Sequence, residues 1–464
     1  MFRQKQLRLF GEILENFGIR ADTARINLFT NLSLTAMVVR RAIPNTLPLF
    51  VPEAADETVD FQLNAIVDAL EKLKTAIDYG ADAVYIGGEM FSLRVAAENF
   101  SKEDMQEGIK YAHDRGKKVY LTANILPHND DIEEFEEFVK DIKNYGFDAV
   151  LVADLGLFDM MQELAPEIPI HVSTQANNIN YRSAIKWYKM GATRVVLARE
   201  MSFKEIAEFQ KKIPEDLELE AFIHGAMCIS YSGRCLLSNY MTGRDSNMGA
   251  CAHPCRWNYK LVEETRPGEY MDVFENERGT FIFNSKDLCT IRHIPELVQS
   301  GIASLKIEGR VKTSYYVATV VGAYRREIDR YCADPENYVF NEAEYEELCK
   351  VSHRPYTTGF YFGKPDENSQ VYTSSSYIRD YDLIGIVKSY DAETGIATIT
   401  QRNRFFKGDE IEIIQPMKPF FVQTVNSMCD ENGNEIEVAN HAEQIVKFKT
   451  AQPVCEGAML RKKK

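Results

Sequence analysis

Five of the nine cysteines fall between residues 228 and 289, and none precedes them: the spacing is Cys228-x6-Cys235-x15-Cys251-x3-Cys255-x33-Cys289. Thiolates repel one another unless something soft and cationic neutralises them. A cluster of this size is a metal or iron–sulfur site in a reducing compartment, or a set of disulfides in an oxidising one. An odd cysteine count argues against a complete disulfide framework. Zinc sites usually pair their thiols as C-x2-C, and no such pair occurs here. Inert buried thiols would not concentrate so strongly in one region. The expectation is a 4Fe–4S cluster on four of the five thiolates, with zinc as the alternative. A nucleophilic cysteine is a further option, since His224 precedes Cys228 by four residues and His253 lies between Cys251 and Cys255. A Cys–His pair would generate a thiolate. The chain has no H-E-x-x-H and no G-x-S-x-G motif.

A second dense motif is Ser304-Leu305-Lys306-Ile307-Glu308-Gly309-Arg310. Alternation along a strand puts Lys306 and Glu308 on one side. They make either a structural ion pair or, with the planar fork of Arg310, a grip for a carboxylate or phosphate. Arg199-Glu200, Arg94, Asn99, His171 and Gln175 all stand on or just after apolar runs. Together they outline a polar pocket for a small anion.

These residues need a frame that brings them to one place. From residue 82 onward, short β-branched runs alternate with amphipathic segments, as parallel βα units require. The runs are 83–87, 118–123, 149–153, 168–173, 194–198, 219–223 and 304–307, with another around 60–65. Gly80, Gly146, Gly191 and Gly301 stand where helices should stop. The fold class expected is α/β: a TIM-type β/α barrel with a cysteine-rich insertion, followed by a small all-β C-terminal barrel domain. An open doubly wound sheet is the alternative. The boundaries read as 1–58 for an atypical N-terminal extension and 59–332 for the barrel, with its insertion at about 230–284. A linker follows at 333–374 and the all-β domain at 375–464. Cys228 would then stand at the C-terminal mouth, where such barrels build their sites.

The bulk numbers constrain the class. With 45% hydrophobic and 27% charged residues among 464, the chain suits a soluble, cytoplasmic globular protein, and it holds no apolar run of membrane-spanning length. A net charge of −15 disfavours a general polyanion binder without excluding a local basic site. The basic tail Arg461-Lys462-Lys463-Lys464 reads as a solvated terminus.

The stretch Glu220-Ala221-Phe222-Ile223-His224-Gly225-Ala226-Met227-Cys228, followed after four residues by Gly233-Arg234-Cys235-Leu236-Leu237-Ser238, resembles the signature of the collagenase-like peptidase family. Gly249-Ala250-Cys251-Ala252-His253-Pro254-Cys255-Arg256-Trp257, the Lys306–Arg310 motif and Asp82-Ala83-Val84-Tyr85-Ile86-Gly87-Gly88 carry the same likeness. It runs from about residue 69 to the C-terminus. Some members of this family are oxygen-independent hydroxylation proteins with a 4Fe–4S cluster. Their branches serve ubiquinone synthesis, ribosomal RNA, and tRNA, where wobble uridine becomes 5-hydroxyuridine with prephenate as the implicated donor. The length and the β domain resemble the tRNA branch. The resemblance implies Cys228, Cys235, Cys251 and Cys289 as cluster ligands, with Cys255 a spare thiol or alternative ligand. It also implies tRNA, a small anionic donor such as prephenate, and a paralogue or redox partner. A true peptidase is the runner-up, and a structural-zinc RNA-binding protein the third reading. Relatives carry a strand and a Pro-Ala-Gly turn just before Leu70-Glu71-Lys72-Leu73-Lys74, where this chain has Gln62–Ala69. The expectation is a misassigned start or a reading-frame change upstream, with a true extension as the alternative; the first barrel strand and its mouth loop are where such a change would act, and loss of the turn could open the barrel.

Overall fold

Short β-branched runs pair edge to edge, and the amphipathic segments between them cover the outside. The computed structural model describes residues 61–88, 91–92, 100–228, 230–231, 234–257, 284–364, 370–371 and 377–464. The N-terminal extension, Arg94, Asn99 and the later part of the insertion lie outside the described residues. The barrel strands are β1 (Gln62–Ile66), β2 (Ala83–Gly87), β3 (Lys118–Ala123), β4 (Ala149–Val152), β5 (Ile170–Val172), β6 (Ala192–Val196), β7 (Glu218–Ala226) and β8 (Ser304–Glu308). Each is parallel to the next, and β8 pairs with both β7 and β1, so the barrel is closed.

The closed barrel expected from the βα rhythm is therefore present, and absence of the family's turn does not open it. Gln62–Ile66 pairs in register with Ser304–Glu308. The turn after it is tied down at Asp68, which accepts from the Val311 amide at 2.8 Å and pairs with Lys72 at 2.5 Å. Two glycines make the mouth possible. A Cβ on Gly309 would lie 2.7 Å from the Ile66 carbonyl oxygen, and Gly225, at φ +120°, packs its bare Cα against Glu308.

The helices are α1 (Leu70–Asp78), α2 (Lys102–His113), α3 (Asp130–Ile142), α4 (Leu155–Leu164), α5 (Tyr181–Lys189), α6 (Phe203–Gln210), α7 (Leu237–Thr242), α8 (Ile294–Gln299), α9 (Ser314–Ala333) and α10 (Glu342–Cys349). Side-chain caps set several starts: Ser101 accepts from the Asp104 amide and Asp154 from those of Gly156 and Leu157. Ser202 and Glu205 form a reciprocal capping box on α6. Ser202→Ala removes one side of that box. Its expected cost is about 1 kcal/mol, read as a lowered urea midpoint, and an unchanged midpoint would contradict the assignment.

The segment after α9 packs on the barrel rather than spanning open solvent. Tyr356–Thr357 pairs with Asp287–Cys289, and Tyr361 donates its hydroxyl to the Phe222 carbonyl at 2.6 Å. Beyond it lies an antiparallel sheet of β9 (Tyr381–Asp391), β10 (Ile396–Gln401), β11 (Glu410–Gln415), β12 (Lys418–Thr424), β13 (Ile445–Lys449) and β14 (Met459–Lys463). Its order is β12-β11-β14-β9-β10-β13, around a core that includes Ile384, Ile399, Ile411 and Leu460. The reading of residues 461–464 as a solvated tail is corrected here. Arg461 belongs to β14 and is completely buried, because two carboxylates, Glu347 and Glu412, enclose its guanidinium. No helix among the described residues is long and apolar enough to cross a membrane.

Candidate active site at the barrel mouth

Strand ends and the insertion enclose a cavity of about 190 Å3. Cys228 follows β7 directly, while Cys235, Cys251 and Cys255 come from the insertion, and all four line it. The insertion is held in place by its own polar contacts. Ser246 donates to the Cys235 carbonyl at 2.6 Å, the Ala252 amide to Ser238 at 2.9 Å, and the His253 amide to the Cys251 sulfur at 3.4 Å. Cys289 stands elsewhere. It pairs across from His224, is buried, and receives the Tyr324 hydroxyl at 3.9 Å; burial pushes its thiol up to about 12. All nine cysteines are free thiols.

The strand ends add charge to the same lining. Lys306, Glu308 and Arg310 from β8 and its end, and Arg199 from the end of β6, all line the cavity. Arg310 reaches across the mouth and donates to Thr122 Oγ1 at 2.5 Å, and its backbone amide bonds Glu308 at 3.0 Å. Arg199 approaches Glu308 at 3.9 Å and lays its guanidinium 3.8 Å from the Phe222 ring centroid. Gln175 joins the wall too, with its Oε1 unpaired, as are the Oδ1 atoms of two further cavity residues, Asn124 and Asn247.

The other candidates lie outside this wall. His171 sits inside the barrel, 3.0 Å from the Tyr85 hydroxyl, and burial with Arg194 nearby holds it far below the ordinary histidine range. Glu200 does not line the cavity, and burial raises its carboxyl. The Cys228–His224 pair is not assembled. The His224 ring packs among Tyr316, Tyr324 and Tyr356, and burial lowers it to about 3, so it is neutral and turned to an aromatic cage.

Lys306 does not pair with Glu308, as strand alternation suggested, but with Glu220 on β7 at 2.7 Å. Glu220 is completely buried and also accepts from Ser304 (2.5 Å), Tyr85 (3.0 Å), Asn64 (3.2 Å) and Arg194 (3.2 Å). Burial alone would raise this carboxyl, but Lys306 and Arg194 outweigh it and hold it at about 2. Burial draws the Lys306 ammonium down to about 8. Both charges are present at neutral pH. Glu220, Arg194 and Asn64 escaped the sequence reading because a single charged residue inside an apolar strand looks like a surface position. The available signal was alternation: Glu220 shares a phase with Phe222, which lines the cavity.

The sequence profile of peptidase family U32 matches residues 68–371, and that of the family's C-terminal domain matches residues 379–461. The chain belongs to peptidase family U32. The family likeness carried by the cysteine and Lys306–Arg310 motifs is thus borne out. Among relatives of the U32 chain, tRNA hydroxylation protein P1 of Bacillus subtilis is 44% identical over 403 residues, covering 87% of this chain and 95% of that one. The tRNA hydroxylation protein P of Escherichia coli is 38% identical over 386 residues, 75% of this chain and 84% of that one. A solved C-terminal domain from a U32 peptidase of Geobacillus thermoleovorans is 47% identical, with a TM-score of 0.17, and covers 18% of this chain and 99% of its own.

The donors around the cavity suit an iron–sulfur cluster by chemistry, being soft thiols of which Cys228 is solvent-exposed. Among the described residues, no three His, Cys, Asp or Glu side chains already stand close enough to hold a single metal ion.

Proposed function

We propose that this U32 protein hydroxylates a tRNA uridine without molecular oxygen, converting the wobble uridine to 5-hydroxyuridine with a prephenate-type anion as donor. The observation that carries the reading is a shared cavity at the barrel mouth. Its lining brings together four cysteines, two arginines and a lysine, in a chain whose near-full-length relatives are named for tRNA hydroxylation.

Cys228, Cys235 and Cys251 would hold a 4Fe–4S cluster. The fourth ligand is Cys289 by family resemblance, and Cys255 is the alternative that lines the cavity. When bound, such a cluster would supply one-electron chemistry. The protein's own residues supply the rest. Arg310 and Arg199 offer planar forks to a carboxylate; Thr122 holds the first and Glu308 stands beside the second. Lys306 adds a third positive charge at the wall while staying anchored to Glu220. Phe222, Leu151 and Met227 give the cavity apolar surface that limits water around the reacting groups. An anticodon loop leaves its bases unpaired, so the uridine has only to unstack to enter such a pocket.

The test is anaerobic purification followed by iron, acid-labile sulfide and visible spectra for wild type and for Cys228→Ala, Cys255→Ala and Cys289→Ala. About four irons and four sulfides per chain are expected in wild type, with both lost in Cys228→Ala. Whichever of the other two variants loses them names the fourth ligand. Transfer RNA from a strain lacking the gene should lack 5-hydroxyuridine, and wild type but not Cys228→Ala should restore it. A colourless, folded protein with zinc or no metal, or unchanged tRNA in the deleted strain, would overturn the proposal.

A further inference from the structure

Helix α7 turns two faces to different surroundings. Leu237 and Ser238 line the cavity. On the other side Leu236 is 67% and Tyr240 86% exposed, and Met241, Tyr231 and Trp257 are exposed nearby in the chain. Large aromatic side chains left in water beside a functional cavity mark a binding surface. The charge here is local too. Residues 234–257 carry Arg234, Arg244 and Arg256 against Asp245 alone, in a chain whose net charge is −15. Arg234 is held at the rim, where its Nε donates to Asn177 Oδ1 at 2.6 Å, just past the turn that follows β5.

Any nucleobase that enters the cavity leaves its neighbours on the rim, and α7 is part of that rim. Unpaired neighbours expose flat π faces and phosphates. Aromatic side chains stack on the first, and guanidinium groups neutralise the second. A second copy of this acidic chain would offer the arginines carboxylates but no run of flat bases for the aromatic side chains.

We propose that α7, with Tyr231 and Trp257, is a stacking platform for the loop nucleotides flanking the target uridine, with Arg234 and Arg244 on their phosphates. The inference rests on the reading of the cavity as the uridine's site. It makes the insertion a two-sided element, with cysteines facing inward and an RNA-reading surface facing outward. Tyr240 then acts on substrate affinity without touching the reacting atoms.

The experiment uses anaerobically purified holoprotein and a synthetic anticodon stem-loop RNA with uridine at the first anticodon position. Affinity is measured by fluorescence anisotropy across a salt series, for wild type, Tyr240→Ala, Tyr240→Phe and Arg244→Ala. The side chain of Tyr240 is so exposed that folding should survive, and iron content checks this. Tyr240→Ala should weaken binding about tenfold to a hundredfold, the scale of losing one stacked base, and Tyr240→Phe should retain it. Arg244→Ala should reduce the salt slope by about 0.7, one released counterion on a single strand. Wild-type affinity in Tyr240→Ala overturns the inference, as does an equal loss in Tyr240→Phe, which would assign the contact to the hydroxyl. A change in oligomeric state with unchanged RNA affinity makes the patch a protein interface and also overturns it. If iron-replete wild type neither binds nor modifies the RNA, this inference and the proposed function fall together. If wild type modifies RNA and Tyr240→Ala matches it, only this inference falls.

Discussion

Lys306→Met should lower the unfolding free energy by about 3–5 kcal/mol, the usual cost of leaving one buried ion without its partner. Barrels of this kind normally fill their interior with Val, Ile and Leu. This one buries a carboxylate, Glu220, and surrounds it with an ammonium, a guanidinium, an amide and two hydroxyls. Methionine preserves much of the lysine's length and apolar stem, so the loss reports the ammonium rather than a cavity. The pH dependence follows from the direction of the Glu220 shift. Its folded value, about 2, lies below its ordinary 4.5, so its stabilisation is present above 4.5 and is lost as pH falls toward 2. Without Lys306 the folded value rises, and the contribution shrinks across that whole window. For Lys306 the sign is opposite. Its folded value of about 8 lies below its ordinary 10.5, so burying the charge costs stability below 8, and the cost fades as pH rises through that interval. Urea unfolding at pH 7 and pH 4 measures the Glu220 dependence, and a further series from pH 7 to pH 10 measures that of Lys306. A variant within 1 kcal/mol of wild type at pH 7, on the scale of an exposed pair, would show that Arg194 and the neutral donors suffice alone.

Arg461→Met should cost a similar amount, about 3–5 kcal/mol, although it lies three residues from the last position of the sequence. Its guanidinium donates to both oxygens of Glu347 on α10 at 2.7 Å and to Glu412 on β11 at 2.7 Å, and it approaches the Tyr315 hydroxyl at 3.5 Å. It therefore ties the C-terminal sheet to the helices beside the barrel. Lys350 also bridges Glu347 and Glu412, at 2.7 and 2.9 Å, and will recover part of the loss. Burial works to raise the Glu347 carboxyl, but Arg461 and Lys350 together hold it below the ordinary range. Its stabilisation is thus present at neutral pH and is lost on acidification. In the variant, limited proteolysis should release the sheet as a stable fragment before the barrel is cut. Cleavage kinetics equal to wild type would mean that packing such as that of Tyr79 against the Ile414 carbonyl already holds the sheet in place.

Much of the site was legible in residue order. Cys228, Cys235, Cys251 and Cys255 share a cavity, and spacing and chemistry had already grouped them. Lys306, Glu308, Arg310, Arg199 and Gln175 reach the same wall because residues just past parallel strands converge at one end of a barrel. His171 was misjudged for a definite reason. Strand position fixes the phase of a side chain but not its depth, and His171 stands far enough down β5 to join the Tyr85 and Glu220 cluster. The same limit hid the partner of Lys306. A neighbour two residues away in sequence was visible, and one on the adjacent strand β7, 86 positions earlier, was not.

Sequence by itself determined the alternation of strands and helices, the family, and the set of residues able to bind a metal or an anion. Those are local properties of period, turn chemistry and side-chain type. Tertiary structure alone decided which charges meet. Glu220 finds Lys306 and Arg194, Arg461 finds Glu347 and Glu412, and Cys255 rather than Cys289 reaches the cavity wall. The physical reason is that a buried charge must be compensated wherever it ends up. The compensating groups come from strands brought together by barrel closure and domain packing, at sequence distances no local pattern encodes.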